Sequence, residues 1–475
     1  MSSSIPVDTS TTDPALRRRR AIRGSFFGFF IDSFDIYLPS IALLPAMIYF
    51  TNGLSASQTA IVTGFTLATT LFGRPVGAIL FGHFSDRLGR KRTGAIAIYG
   101  FGAVTLLIAC LPGAQAIGAP AAITLLLVLR FIAGVFLGGE YTAATPMAIE
   151  YAKVNRRGFV GGIVQSGSSV AYFAIALFTY LALLISPAGD INSPYVQWGW
   201  RIAFVVGAVL AYIVARFLRR NVEESTTWLE AAKTKTSPVL AMLGKGSRVA
   251  FIQVFILMSG IFFMTNMVGS VLPQELEAHP GFTPTDFTIT LIIANCFTPF
   301  SYMLAGRLSD AFGRKPILLT GGILTLVAMS GLFAYLGSGA KIGFAWLIVI
   351  TFLIESINGF SIGTLPSFIN ERFPTAVRSS GWGIGYSLAV IIPGFFAYYQ
   401  VGLAHFIPNG WTASALCIIG GILIIVAVAV SPETRGVDLA SNDMLGNAAS
   451  TWKKQVVAGP KTPVGPTATP QSAES

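Results

Sequence analysis

Charge is scarce in this chain. Asp, Glu, Lys and Arg make up 11% of its 475 residues, and 53% are hydrophobic. Soluble domains carry about a quarter charged residues, so a water-soluble globular fold is excluded and apolar spans of about 20 residues become the units to seek. Cys110, Cys296 and Cys417 lie inside apolar runs without metal-ligand spacing, and they read as small apolar packers. His83, His279 and His405 are scattered, so no metal site is expected. No Gly-Lys-Ser/Thr phosphate loop, nucleophile elbow or HExxH pair occurs. Neither an enzyme nor a cofactor is therefore expected. The N-terminus is polar and the first apolar run too long for an h-region, so no cleavable leader is expected either.

What is present is a series of apolar runs. Hydropathy predicts an all-α membrane protein with about twelve transmembrane helices, near 24–50, 58–81, 93–111, 121–147, 158–185, 199–218, 249–273, 286–306, 317–336, 343–366, 377–402 and 412–431. All of the 32 basic residues except Arg74, Arg130, Arg201 and Lys341 fall on the tails or on alternate connections. By the positive-inside rule that side is cytoplasmic, with both termini there. The bias accounts for the net charge of +11 without a nucleic-acid partner. The chain then divides into a tail (1–23), a six-helix half (24–218), a cytoplasmic central loop (219–248), a second six-helix half (249–432) and a tail (433–475). That last tail is rich in Pro, Thr, Ala and Ser and is expected to be disordered.

The halves repeat. GHFSDRLGRK (82–91) recurs as GRLSDAFGRK (306–315), and IEYAKVNRRG (149–158) recurs more loosely as NERFPTAVRSSG (370–381). Two elements at nearly equal offsets indicate a six-helix unit duplicated in parallel. The duplicated GxxSDxxGRK loop resembles the signature of the major facilitator superfamily. GRPVGAILFGHFSDRLGRKRT (73–93) and LRFIAGVFLGGEYTAA (129–144) are similar to the bacterial metabolite:proton symporters, which carry proline, betaine, dicarboxylates, citrate or shikimate. Asp35 after its aromatic stretch, Arg130 in RFIAG, GWR (199–201) and PETRG (432–436) resemble the sugar porters. IDSFD is similar to the first helix of the aromatic-acid:proton symporters, with Ser33 in place of a glycine. The resemblance implies two halves rocking about a central site, in a bacterial inner membrane, with a monomer as the working unit and the lipid bilayer, protons and a small molecule as partners.

Ionisable groups inside a span cost about 2.5–3.5 kcal/mol each on insertion scales, so they face a partner or a wet cavity. Asp32 and Asp35 are three residues apart, which on a helix means about 60° of azimuth and roughly 4.5 Å of rise. Two carboxylates that close resist ionising together. Arg130 on the fourth span sits at the depth of Asp35, and the sugar-porter resemblance implies that such a pair couples protonation to transport. Asp35, Asp32 and Arg130 are thus the candidate proton-coupling residues. Arg74 matches the metabolite:proton family and reads as local packing. Glu355 binds a substrate ammonium, relays a proton, or is a neutral hydrogen-bonded acid. Polar groups at cavity depth add Gln165, Tyr172, Asn266, Asn295, Asn358, Trp382 and Tyr386 to Arg130 and Glu355 as candidate substrate ligands, with Ser169 beside them. The basic-side connections supply a candidate cytoplasmic gate from Asp86, Arg87, Arg90, Lys91, Glu140, Glu150 and Arg157, facing Asp310, Arg314, Lys315, Glu371 and Arg378.

Arginines at cavity depth favour a small organic anion as cargo, because guanidinium matches carboxylate in a bidentate way. The alternatives are a neutral or zwitterionic solute, a drug exported by antiport, and a receptor that binds without flux. The fifth span, GFVGGIVQSGSSVAYFAIAL, lacks the Gly-Pro pair of drug antiporters.

Overall fold

A computed structural model describes residues 14–88, 90–221, 248–373, 385–437 and 439. Within a bilayer every backbone N–H and C=O must be satisfied inside the chain, and among the described residues helices do so for most of the backbone. Among the described residues eleven helices are long and apolar enough to cross a membrane, and a twelfth is shorter. In order they are α1 (Arg18–Ala46), α2 (Ala56–Phe81), α3 (Thr93–Ala109, the short one), α4 (Ala119–Gly139), α5 (Val154–Ile185), α6 (Tyr195–Arg220), α7 (Arg248–Ala278), α8 (Pro284–Phe312), α9 (Arg314–Gly337), α10 (Phe344–Arg372), α11 (Gly385–Leu403) and α12 (Asn409–Ala429). The expected run at 377–402 lies partly outside the described residues.

The duplication is visible in helix irregularities. α1 and α7 each loosen into a π turn, Pro39–Leu43 and Met267–Val271, and each reaches a proline soon after, Pro45 and Pro273. α2 and α8 each carry an internal proline, Pro75 and Pro299. The end without the basic loops carries exposed Trp198, Trp346, Phe406 and Trp411, amphipathic or bulky rings suited to a membrane–water boundary. Arg201, a cation at that end, is absorbed by the protein. It donates to the Leu111 carbonyl at 3.0 Å, the Tyr49 hydroxyl at 2.7 Å and the Ala109 carbonyl, and lies over the Tyr49, Trp198 and Trp200 rings.

Packing inside the first half rests on glycine. Gly73 and Gly77 of α2 and Gly134 and Gly138 of α4 form two facing GxxxG patterns, and a Cβ at any of them would overlap backbone of the other helix. Without a hydrophobic drive between helices in lipid, such backbone approach lets van der Waals packing hold them together. It also brings Arg74 on α2 and Arg130 on α4 towards α1. The halves meet along α5 and α8, where Gly158 lies against Gly306 and Gly162 against the Tyr302 carbonyl. At the other end the last turns of α7 touch the end of α1, and α2 touches α11.

Gly134→Ala places a methyl against the Thr70 backbone, which cannot yield as a side chain would. Overpacking of this kind costs about 1–3 kcal/mol. The variant is expected to melt several degrees below wild type in a detergent thermal-stability assay, whereas Gly94→Ala, with open space around it, should melt as wild type does.

Candidate functional site

Between the halves lies a cavity of about 50 Å³, walled by Asp32, Ser33 and Tyr37 of α1, Arg74 of α2, Gln165 and Ser168 of α5, Asn266 of α7, Tyr302 of α8 and Tyr386 of α11. Phe29, Leu71, Met258 and Phe262 belong to its apolar wall. Both halves contribute, and the polar groups are few and convergent, as in small-molecule sites generally. Gln165 Oε1 is buried without a hydrogen bond among the described residues. Ser168 shares the cavity wall with Tyr37 and Tyr302.

Arg74 Nη2 donates to Asp32 Oδ1 at 2.5 Å, with both side chains almost wholly buried. One turn further along α1, Arg130 Nη1 donates to Asp35 Oδ1 at 2.7 Å, again with neither side chain exposed. The rest of that guanidinium is committed to backbone: Nη2 to the Asp35 carbonyl at 2.9 Å and Nε to the Thr66 carbonyl at 3.2 Å. The Thr105 hydroxyl lies 3.4 Å from Asp35 Oδ1, and Oδ2 has no hydrogen bond among the described residues. The 60° between the two aspartates is enough to aim them at different helices, Asp32 at α2 and Asp35 at α4.

Each aspartate thus has a cation of its own, and the two arginines stand otherwise than expected. Arg130, expected to touch substrate, is spent inside the first half and does not border the cavity; Arg74, expected to serve local packing, does. Gln165 of the first half and Asn266 and Tyr386 of the second line the cavity, the place expected of substrate ligands, but Tyr172 of the first half and Asn295, Glu355 and Asn358 of the second are buried without bordering it. Tyr172 packs edge-on against Tyr37, with ring centroids 4.9 Å apart. Glu355 is buried, with Asn295 Nδ2 3.4 Å from its Oε1, and Ser169 Oγ donates to Asn295 Oδ1 at 3.0 Å. No ion pair of Glu355 is found among the described residues. Trp382 lies outside the described residues.

At the end bearing the basic loops, the halves are tied by charge. Asp310 accepts the Gly158 and Phe159 backbone N–H groups of α5, each at 2.8 Å, so an anion of one half sits on an exposed helix start of the other. Arg314 donates to Asp310 at 2.8 Å and grips Glu371 through Nε and Nη2 at 3.1 and 3.0 Å. Arg157 approaches Glu371 at 4.0 Å. Lys315 instead binds the Ala429 and Ser431 carbonyls at 2.7 and 3.0 Å, fastening α12 within its own half. Glu150 ends its helix half-buried. The side chains of Asp86, Arg87, Arg90, Lys91 and Glu140, and Arg378 altogether, lie outside what the structure describes.

Sequence reasoning missed Glu433 and Thr434, which it assigned to a disordered tail. Glu433 accepts the backbone N–H groups of Arg314 (2.8 Å), Lys315 (3.0 Å), Thr434 (2.9 Å) and Arg435 (2.8 Å), and so caps the start of α9. Thr434 donates to Glu371 at 2.8 Å. The PETRG stretch carried that signal, because an acid just past a span is a natural helix cap. Tyr37, Ser168 and Tyr302 were also missed, and nothing in the sequence separates them from other polar residues in spans.

Comparison with known proteins agrees with this architecture. The family model described as Major Facilitator Superfamily matches residues 25–379 and 254–462. The inner membrane metabolite transport protein YhjE of Escherichia coli is 30% identical over 89% of this chain and 96% of its own. The alpha-ketoglutarate permease of the same organism is 33% identical over 84% of this chain and 90% of its own, and the shikimate transporter is 30% identical over 86% and 93%. A solved structure of the proton:xylose symporter XylE bound to 6-bromo-6-deoxy-D-glucose superposes with a TM-score of 0.69 at 21% identity, covering 91% of this chain and all of that one, which supports the shared fold. Paired six-helix bundles around a central cavity, matched along both halves by family and relatives, place this chain in the major facilitator superfamily of membrane transporters.

Proposed function

We propose that the protein is a proton-coupled symporter for a small organic anion, working as a monomer in the bacterial inner membrane with the basic loops and both termini in the cytoplasm. The observation that carries this reading is the Asp32–Arg74 pair on the cavity wall. A proton on Asp32 removes a negative charge held against Arg74, and a carboxylate in the cavity takes that charge's place beside the guanidinium. Proton and anion thus favour each other through one shared cation. A buried cation left without either partner costs several kcal/mol, so the half-loaded carrier is disfavoured. Gln165 Oε1 offers an acceptor for a hydroxyl or ammonium on the cargo, and the tyrosines offer ring faces. The cavity as it stands has room for only a few waters, at roughly 10–15 Å³ each, so cargo of metabolite size enters when the halves part. The relatives named for shikimate and alpha-ketoglutarate lend the carboxylate further support.

A second reading rests on Asp35 Oδ2, buried with no hydrogen bond among the described residues: Asp35 takes the coupling proton, with Arg130 as its counter-ion. A zwitterion such as proline or betaine also suits the cavity, with its cationic end on the rings.

Reconstituted vesicles with an imposed inward proton gradient test the reading. Labelled carboxylates, shikimate and alpha-ketoglutarate among them, are expected to accumulate faster as the outside pH falls. Failure of every carboxylate to accumulate in wild type, with proline or betaine accumulating instead, would replace the anion by the zwitterion. Asp32→Asn is expected to keep carboxylate binding but lose accumulation and its pH dependence. If Asp32→Asn still accumulates and Asp35→Asn does not, the second reading takes over. Arg74→Gln is expected to weaken carboxylate binding by about 10–100-fold, the loss of one charge-assisted contact, as read by scintillation proximity or tryptophan fluorescence.

A further inference from the structure

α11 crosses the seam between the halves as a broken helix. Turns interrupt it at 389–390 and again at Phe395, between short helical pieces Ile391–Gly394 and Phe396–Leu403. The first break has a covalent cause. Pro393 has no N–H, so the Ala389 carbonyl four residues earlier loses its helical partner; Ser259 Oγ of α7 lies 3.4 Å from it. The second break exposes the carbonyl of Pro393 itself, and Asn266 Nδ2 of α7 donates to it at 3.0 Å. Asn266 also borders the central cavity.

The residues just beyond the hooked carbonyl close the seam. Gly394 lies so near Phe72 of α2 that a Cβ there would overlap its ring. Phe395 meets Phe72 with ring centroids 5.0 Å apart and Phe65 at 6.5 Å, and Phe65 meets Tyr398 at 5.0 Å. Further along, Ala397 packs against Gly64. On α2 Phe65 and Phe72 interleave with the cavity-lining Leu67 and Leu71, while Phe395 and Tyr398 reach the outer surface, so this aromatic plug closes the α2–α11 seam beside the cavity. Rings of this kind pack without hydrogen bonds, and the plug stays shut only while the backbone behind it is fixed.

We infer that Asn266 is a positioning residue for the gate: its amide fixes the break in α11, and through it the plug of Phe65, Phe72, Phe395 and Tyr398. The inference rests on the transport reading above and extends it by assigning closure of the α2–α11 seam to a side chain of the cavity wall. In a helix with a proline defect the ladder alone does not hold the two pieces in line, and the α7 amide supplies the missing constraint.

The test uses full-length protein in detergent with Cys110, Cys296 and Cys417 replaced, and it needs no substrate. Ala397→Cys reports the plug and Phe159→Cys the seam at the basic end, each by its rate of reaction with a charged maleimide. Asn266→Ala and the near-isosteric Asn266→Leu are expected to raise the rate at Ala397→Cys on the order of tenfold, the scale of one membrane hydrogen bond at its upper end. The rate at Phe159→Cys and the melting temperature should hold. An unchanged rate at Ala397→Cys in both variants overturns the inference. So does an equal rise at both reporters, which would mark Asn266 as a general structural residue. Loss of carboxylate uptake by wild-type vesicles would sink the transport reading while leaving this contrast legible.

Discussion

A guanidinium and a carboxylate that meet in the middle of a bilayer have no water to fall back on. Asp32 and Arg74 are held together at the cavity wall, and most of the first half is arranged so that they can be. Arg74 reaches α1 because α2 lies against α4 at backbone distance, and it does so because Gly73, Gly77, Gly134 and Gly138 carry no Cβ. The second pair, Asp35 and Arg130, is locked by carbonyls as well as by charge and braces α1 on α4. One pair borders the cavity and the other does not. Pairing in low dielectric only roughly repays desolvation, so neither pair explains itself by stability. The cavity-facing one acquires its meaning from what can replace either partner.

The two ends of the molecule are closed by different physics. At the basic end the ties are ionic and directional: Asp310 accepts two backbone N–H groups of the other half and Arg157 approaches Glu371 across the seam, while Arg314 holds Asp310 and Glu371 in place from within their own half. At the opposite end they are ring faces and small residues, with a broken helix behind them. The ionic closure opens by giving up the two bonds to Asp310 and the approach of Arg157 to Glu371. The aromatic closure has few hydrogen bonds, so its resistance to opening depends on how firmly α11 is kept straight. An alternating carrier with such ends resists opening unequally at its two mouths.

Much of the fold was legible because its causes are local. Span length and hydropathy follow from the lack of water in the bilayer, and the parallel repeat showed in GHFSDRLGRK and GRLSDAFGRK. The Asp35–Arg130 contact was also reachable, since two residues at equal depth on antiparallel spans can meet. What was not legible was azimuth. Whether Arg74 faces the lipid, a neighbour or the cavity depends on how α2 is rotated, and that is set by glycine contacts with α4 that no single run of sequence displays. The same holds for Glu355 and Asn295, which share the cavity's depth but stand one layer behind its wall. Glu433 failed for another reason: composition marks the tail as a whole, whereas its first residues are ordered by the helix they cap.

The repeat explains why charge lies on one side of the cavity. Pro75 and Pro299 correspond in α2 and α8, so Thr298 stands in the second half where Arg74 stands in the first. Its hydroxyl is turned back on its own helix, donating to the Ala294 carbonyl at 2.9 Å. Likewise Asp32 has Gly260 as its counterpart when the π turns of α1 and α7 are matched, and Gly260 lies against the Gly420 backbone of α12. Duplication supplied two equivalent frames, and divergence left an ion pair at the cavity in one and close packing in the other. On the reading proposed above, a cation on a single wall would give an anionic cargo one orientation, its charge towards α1 and α2 and its remainder towards Tyr302, Tyr386 and Asn266 of the second half. Binding then spans the seam, which is the geometric condition for a ligand to influence how the two halves move.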